Sequence, residues 1–359
     1  MRGAVMTQVG AELEVVDDIE LVAGPSRGEV RVEIKATGIC HSDLSAIDGI
    51  LPAPEQCVIG HEAAGVVAEV GDDVETLTVG DHVIFTLIPP CGRCRYCLGG
   101  QANLCDSVVN PFDPPPRYER NGEPLFTLGG IGTWTEQAVV HEQGLVKIAD
   151  SIPFDVAAIV GCAVTTGVGA VLNTAGLRPG STVAVFGCGG VGMSVIQGAR
   201  LAGATDVVAV DTNPDKLELA QALGATATAT PGTLTAVGDA IHDGLGFDYA
   251  FEVIGRSGTI RDAYDSTRRG GTMVVVGAGG MDDMVEFSAF ELFFFERTIK
   301  GCVYGSADPR AEFGRLLDLW RVGRLDLDAL ITRRLKLDEI NDGVRALRDG
   351  TEIRQVVVL

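Results

Sequence analysis

Positive charge is scarce in this sequence. Only 28 lysines and arginines stand against 49 aspartates and glutamates, a formal net charge of −21. A surface of that sign repels phosphate backbones and anionic headgroups, which argues against nucleic acid or an anionic membrane as partner. A membrane-spanning run is not expected either: the cluster read as the most apolar, Phe287 to Phe295, is broken by Glu291 and is too short to span a bilayer. No basic, then apolar, then small-residue leader opens the chain; Met1 to Val16 reads as a strand pair, and the expectation is a soluble, cytoplasmic protein. Nine cysteines are an odd number for a disulfide framework in a large chain without a secretory signal, and their spacing points to metal instead. What remains is a globular composition, 46% hydrophobic and 21% charged, over 359 residues, enough for two domains with cores of their own.

The stretch from Gly161 to Asp211 carries two kinds of chemistry. Gly161 to Gly167 offers the thiol of Cys162 in what reads as a turn of small residues. Thr182 to Phe186 then reads as a buried strand entering Gly187-Cys188-Gly189-Gly190-Val191-Gly192, followed by a helical segment from Met193 to Ala202 and a second strand, Asp206 to Asp211. A Gly-x-Gly-x-x-Gly alone is weak, and a glycine-rich turn in an ordinary parallel sheet is the plain alternative. Strand, glycines, helix and a carboxylate about twenty residues on make up the whole dinucleotide-binding unit. Glycines let the backbone approach a pyrophosphate, the helix N-terminus offers N–H groups to it, and Asp211 accepts from a ribose hydroxyl. An acid there repels a 2′-phosphate, so NAD is expected rather than NADP.

The first part of the chain, to about residue 85, alternates short apolar runs with turn residues, as in Glu29 to Lys35, and reads as an antiparallel β-rich domain. In it lie Cys40, His41, Ser42 and Asp43, and further on Gly60, His61 and Glu62. Singly, Cys40 is a small core residue and His61 a satisfied loop histidine. Together with Cys162 they offer two sulfurs and a nitrogen, and three protein ligands leave the fourth zinc position open, the mark of a catalytic site. Asp43 is placed to take the other ring N–H of His61; Glu62 either approaches the metal from behind or is a surrounding carboxylate. Cys91, Cys94 and Cys97, then Cys105 after seven more residues, supply four thiolates in one short segment, which closes a tetrahedral structural zinc. Iron–sulfur ligation fits less well, since the last gap is wrong and no proline follows Cys105.

Asp106 to Gly132, with Pro114 to Pro116 in its middle, reads as a long surface loop, either a mere insertion or a wall of a substrate pocket. Trp134 to Ile148 returns to strand. After Asp211, helix and strand alternate as far as Val303, which argues a doubly wound parallel sheet. The tail brings helices at Pro309 to Trp320 and Asp338 to Leu347 and strands at Ile331 to Leu335 and Ile353 to Leu359, expected to pack on the first domain. Cys57, Cys188 and Cys302 read as small core residues.

These motifs, in this order and spacing, resemble the zinc-dependent medium-chain alcohol dehydrogenases over essentially the whole chain. The resemblance implies an α/β protein: a GroES-like β-rich catalytic domain (residues 1–160 and 305–359) split around a Rossmann NAD-binding domain (161–304), with the active site in the cleft between them. It implies catalytic zinc on Cys40, His61 and Cys162 with Glu62 nearby, and Ser42 as the hydroxyl relaying the alcohol proton. His41 and Arg354 are implied beside the cofactor pyrophosphate, Thr166 near the nicotinamide, Val191 beneath its ring, and Asp211 and Lys216 at the adenosine ribose. Where many members end the relay in histidine, this chain has Ser45, which leaves the last proton step open. The loop after Cys105 is similar to that of the longer alcohol dehydrogenases and formaldehyde–thiol adduct dehydrogenases, a branch that implies a homodimer, with a tetramer second. Leu51, Leu87, Leu128 and Trp134 are expected near an apolar pocket for primary or aromatic alcohols. Rival readings are a dehydrogenase of hydroxymethyl–thiol adducts, an enzyme that retains its NAD, and a non-catalytic relative; the last, like a zinc-free quinone reductase, would not need the ligands present here.

Overall fold

In the computed structural model, residues 1–106 and 115–359 are described. They form two compact units, one of Met1–Cys162 with Asp308–Arg321 and Leu327–Leu359, the other of Ala163–Ala307 with Val322–Asp326.

The first unit is built on the strand Glu29–Ile39. Burial alternates along it as far as Ala36, as a period of two requires, and then Thr37, Gly38 and Ile39 are all buried. It pairs antiparallel with Ala63–Val70, Gln137–His141 and Arg354–Val358 in a seven-stranded sheet. Arg354–Val358 thus lies between Glu29–Ile39 and Ile331–Leu335, so residues from far along the chain sit inside a sheet begun near its start. The expected strand pair at the N-terminus is Gly3–Met6 with Glu14–Val16, in a second, six-stranded sheet. One core joins Met6, Ile39, Ile59 and Trp134 to Ile340, Val344 and Val357.

The second unit holds a six-stranded parallel sheet ordered Ala227–Ala229, Asp206–Val210, Thr182–Phe186, Phe247–Glu252, Thr267–Val275, Thr298–Gly301. Numbered along the chain that is 3-2-1-4-5-6, the doubly wound Rossmann order. Helices Gly190–Leu201, Pro214–Ala222 and Ser257–Ser266 alternate with these strands. Phe186, Val208, Phe247, Tyr264 and Met273 share its core.

Two local expectations are corrected. The turn expected from Gly161 to Gly167 is helical: a π-segment, Val160–Val164, runs into Thr165–Gly169. Its glycines answer to close packing, because a Cβ at Gly161 would fall 2.9 Å from Phe85 O and one at Gly167 2.5 Å from Val191 O. By length and composition alone the stretch Phe154–Ala175 could cross a membrane, but 83% of its apolar window is buried within the protein, the place of a core helix. The loop expected from Asp106 to Gly132 has residues 107–114, Pro114 among them, outside the described residues; beyond them it contains a hairpin, Tyr118–Arg120 with Glu123–Thr127. Asn121 and Gly122, with φ of +55° and +79°, make its two-residue turn. Tyr118 is fully buried and donates to Gly132 O and Gln137 O, which fixes the hairpin in the β-sheet unit.

Candidate metal and dinucleotide sites

Cys40 precedes the helix His41–Ile47, and Asp43 in its first turn folds back so that Oδ2 accepts from Cys40 N at 2.9 Å. The other oxygen, Oδ1, meets His61 Nδ1 at 2.9 Å, both side chains being buried. That bond commits Nδ1 and turns Nε2 inward toward the sulfurs, where it is buried and makes no hydrogen bond by geometry among the described residues. Gly60, at φ +94°, turns the chain into His61. Ligand atoms of Cys40, His61, Glu62 and Cys162 all lie within 4.8 Å of one another, and all four residues are buried. The second group, Cys91, Cys94, Cys97 and Cys105, converges within the same limit. There the chain wraps its own sulfurs, Cys94 N donating to Cys91 Sγ at 3.3 Å and Cys97 N to Cys94 Sγ at 3.4 Å.

The electrostatics of both groups call for a cation. The Cys40 thiol is held well below its usual value, first by the hydrogen bond from Cys162 and further by His61, against burial. Burial works to discharge the His61 ring, yet Asp43 and Cys40 outweigh it and hold its pKa up at about 10. The side chains thus keep a proton on His61 to balance the thiolate, and a divalent cation would take over that charge. In the cysteine group, burial and the neighbouring sulfurs of Cys94 and Cys105 push the Cys97 thiol up to about 12, against the N–H of Gly92. Four thiolates cannot share that space unless a cation is among them. Buried orphan nitrogen, paired sulfurs and a tetrad of thiols fit zinc at both places.

The other expected residues of this unit fall around the first group. Ser42 is half-buried, with Oγ 3.9 Å from Cys40 Sγ, while His41 is exposed and Ser45 half-buried. Arg354, expected at the pyrophosphate, is 4% exposed, and its guanidinium is hydrogen-bonded to Glu62 Oε2. A Cβ at Gly38 would collide with that same carboxylate oxygen, so the glycine makes room for the pair. Trp134, expected at a pocket wall, is instead a core residue, wholly buried and donating Nε1 to Gly38 O. Leu51, Leu87 and Leu128 are half-buried.

In the second unit Gly187, at φ +98°, ends the strand Thr182–Phe186, and Gly189 starts the helix Gly190–Leu201 with no side-chain cap. A Cβ at Gly192 would fall 1.9 Å from Gly187 O, whereas one at Gly189 would meet nothing within 4 Å. The loop is therefore closed on itself on one side and open on the other, where a pyrophosphate can approach the helix N-terminus. Asp211 Oδ2 accepts from Cys188 N at 2.7 Å and Oδ1 from Asn213 N at 2.9 Å, so the acid also holds the loop in shape. Thr166, Val191 and Lys216 are half-buried. Glu252, which sequence reasoning passed over, is fully buried at the end of its strand, and Oε1 accepts from Ile254 N, Gly255 N and Thr259 Oγ1. The only signal was a carboxylate closing the apolar strand that runs from Phe247.

Comparison with known proteins bears on these geometries. Residues 26–150 match the family model described as the alcohol dehydrogenase GroES-like domain, and residues 190–321 match that of zinc-binding dehydrogenases. An NDMA-dependent alcohol dehydrogenase of Amycolatopsis methanolica is 38% identical over 99% of this chain and 98% of its own. An S-(hydroxymethyl)glutathione dehydrogenase of Escherichia coli is likewise 38% identical, over 99% of both chains. Among solved structures, benzyl alcohol dehydrogenase from Acinetobacter calcoaceticus superposes with a TM-score of 0.92 at 29% identity, covering 100% of this chain and 99% of that one.

Proposed function

From the premise that the chain belongs to the zinc-dependent medium-chain alcohol dehydrogenases, and is an oxidoreductase of that family, we propose that it moves a hydride between a primary or aromatic alcohol and NAD. The observation that carries the reading is the buried convergence of Cys40, His61 and Cys162 with Glu62, where His61 Nε2 makes no hydrogen bond among the described residues. When bound, zinc supplies Lewis-acid polarisation of the substrate oxygen, and NAD accepts the hydride. The chain's own residues do the rest. Cys40, His61 and Cys162 hold the metal, and Asp43 fixes the His61 tautomer. Arg354 neutralises Glu62, so the two thiolates alone balance a divalent cation and the site stays receptive to negative charge on a substrate oxygen. Ser42 takes the alcohol proton and, next to exposed His41, passes it toward solvent; Ser45 leaves no histidine to carry it further. His41, Gly187, Gly189, Gly190 and Gly192 would hold the pyrophosphate, and Val191 and Thr166 the nicotinamide. Asp211 and Lys216 take the adenosine ribose, the acid disfavouring NADP. Cys91, Cys94, Cys97 and Cys105 hold the second, structural zinc.

The relative named for S-(hydroxymethyl)glutathione favours a second reading, oxidation of a hydroxymethyl–thiol adduct, and the NDMA-dependent relative a third, in which NAD stays bound between turnovers. Absorbance of zinc-replete protein with NAD and a panel of primary, secondary and aromatic alcohols is the test. An NADH band that a chelator suppresses is the expected result. Turnover of formaldehyde only with a small thiol would replace it with the second reading, and a nicotinamide spectrum surviving gel filtration with the third.

The same reading includes a homodimer, with a tetramer second. Thr298–Gly301 is the edge strand of the parallel sheet, and beside it in sequence Phe290 and Phe293 are 65% and 79% exposed. An open edge flanked by bare aromatics suits pairing with a second copy. None of the nine cysteines is in a disulfide, a state that suits the reducing cytoplasm.

A further inference from the structure

Three consecutive residues, Tyr304, Gly305 and Ser306, have φ of +54°, +65° and +49°. Residues with a Cβ avoid that region, and a full left-handed turn persists only where its surroundings over-determine it. Here the surroundings are specific. Asn173 Nδ2 donates to Gly305 O at 3.1 Å, and the hydroxyls of Thr174 and Ser306 share a hydrogen bond of 2.8 Å. Thr174 Oγ1 also lies 3.2 Å from Cys302 Sγ, toward which the amides of Gly305 and Ser306 turn as well. Lys300 Nζ holds the neighbouring carbonyl, Thr174 O, at 2.9 Å. No other residue fits at Gly305, because a Cβ would fall 2.3 Å from Thr165 O and 2.9 Å from Gly169 Cα.

The turn follows the strand Thr298–Gly301, at the carboxyl edge of the parallel sheet where the Gly187–Gly192 loop also opens and where open α/β sheets take their ligands. Between loop and turn lies the helix Thr165–Gly169: Gly167 abuts Val191 O and Ser194, and Gly169 abuts Gly305. Were a dinucleotide to set its pyrophosphate at the N-terminus of Gly190–Leu201 and its adenosine at Asp211, this strand order would carry its nicotinamide half the other way, past this helix toward the left-handed turn.

We propose that Asn173, Thr174 and Ser306 are positioning residues that hold the Tyr304–Ser306 turn in its left-handed form as a wall for the nicotinamide half of the cofactor. The inference rests on the NAD reading above, and the three side chains act through the turn's backbone. Thr174→Val keeps the shape and removes the hydroxyl. The test titrates the whole protein with NADH, by fluorescence, and with ADP-ribose, which has the adenosine and pyrophosphate but no nicotinamide, by calorimetry. Thr174→Val is expected to weaken NADH about tenfold while leaving ADP-ribose within about twofold, and Thr174→Ser to restore NADH. Equal weakening of both ligands, or of neither, overturns the inference. If Thr174→Val gives no cooperative melt, Ser306→Ala, which removes the partner hydroxyl and keeps the Cβ that strains the left-handed backbone, is read in the same way and with the same expected selectivity. Wild-type protein that binds neither ligand overturns the NAD reading itself, and the inference with it.

Discussion

Asp43 serves two partners from one carboxylate, the backbone of Cys40 and the ring of His61, and so ties two of the proposed metal ligands together. The third proposed ligand is the one to remove. Cys162→Ser should lower alcohol-dependent NAD reduction by roughly a thousandfold, since the polarising cation is worth several kcal/mol in such a reaction. Metal analysis should then find one zinc per chain instead of two, the four-cysteine zinc being retained; two zincs or retained turnover would refute the ligand assignment. His61 sets the pH dependence. Its pKa is raised to about 10 in the folded chain, so in metal-free protein its ion pairing contributes fully below its unfolded value of about 6.5 and is lost as pH rises through about 10. The lowered Cys40 thiol works in the opposite sense, giving stability above its unfolded value of about 8.5 that is lost as pH falls through its folded one. Zinc must displace the His61 proton and also the one that Cys162 donates to the Cys40 thiolate, so its affinity should rise by at least about tenfold per pH unit between pH 7 and about 10. Competition with a chromophoric chelator measures this, and a flat profile would mean that His61 is not the protonated ligand.

At the scale of elements, the glycine loop is the least forgiving. Gly192→Ala would place a methyl against Gly187 O, forcing the loop open. NADH affinity should fall by at least about tenfold, with a lower melting temperature, and unchanged titration curves would mean that the loop does not cradle the cofactor. Elements with a strong period or a fixed spacing were legible in the sequence: the strand from Glu29, the strand–loop–helix around Gly187, the four cysteines. Two were not, for physical reasons. Gly161 to Gly167 looked like a turn because glycine and the β-branched valine and threonine have low helical preference, yet its two glycines are there for close backbone approach inside a buried helix. The hairpin at Tyr118–Thr127 was hidden by the prolines before it, although Asn121-Gly122 is the turn such a hairpin asks for. The Glu62–Arg354 pair could not be read at all, since nothing local links residues so far apart. That Cys40, His61, Glu62 and Cys162 come together, and the four cysteines from 91 to 105 with one another, was legible because cysteine and histidine at those spacings have few other uses.

For the whole molecule, assembly is the property still to be read. Phe293→Asp, at a residue 79% exposed, should leave the fold intact and shift the mass measured by light scattering from dimer to monomer. A mass unaltered by the change would remove that edge from the interface. The placement of Arg354–Val358 inside a sheet begun at Glu29 has a consequence of another kind. A nascent chain leaves the ribosome in order, and domains tend to fold as they emerge. All six strands of the parallel sheet are out by Gly301, while the seven-stranded sheet still lacks its inner strand. During synthesis, then, the later-starting sheet can close first, and Glu62 waits without a counter-ion until Arg354 clears the exit tunnel. A chain that stalls before that point carries Cys40, His61 and Cys162 but displays an open sheet with a bare acid beside them, the kind of exposed edge that chaperones bind and proteases clear.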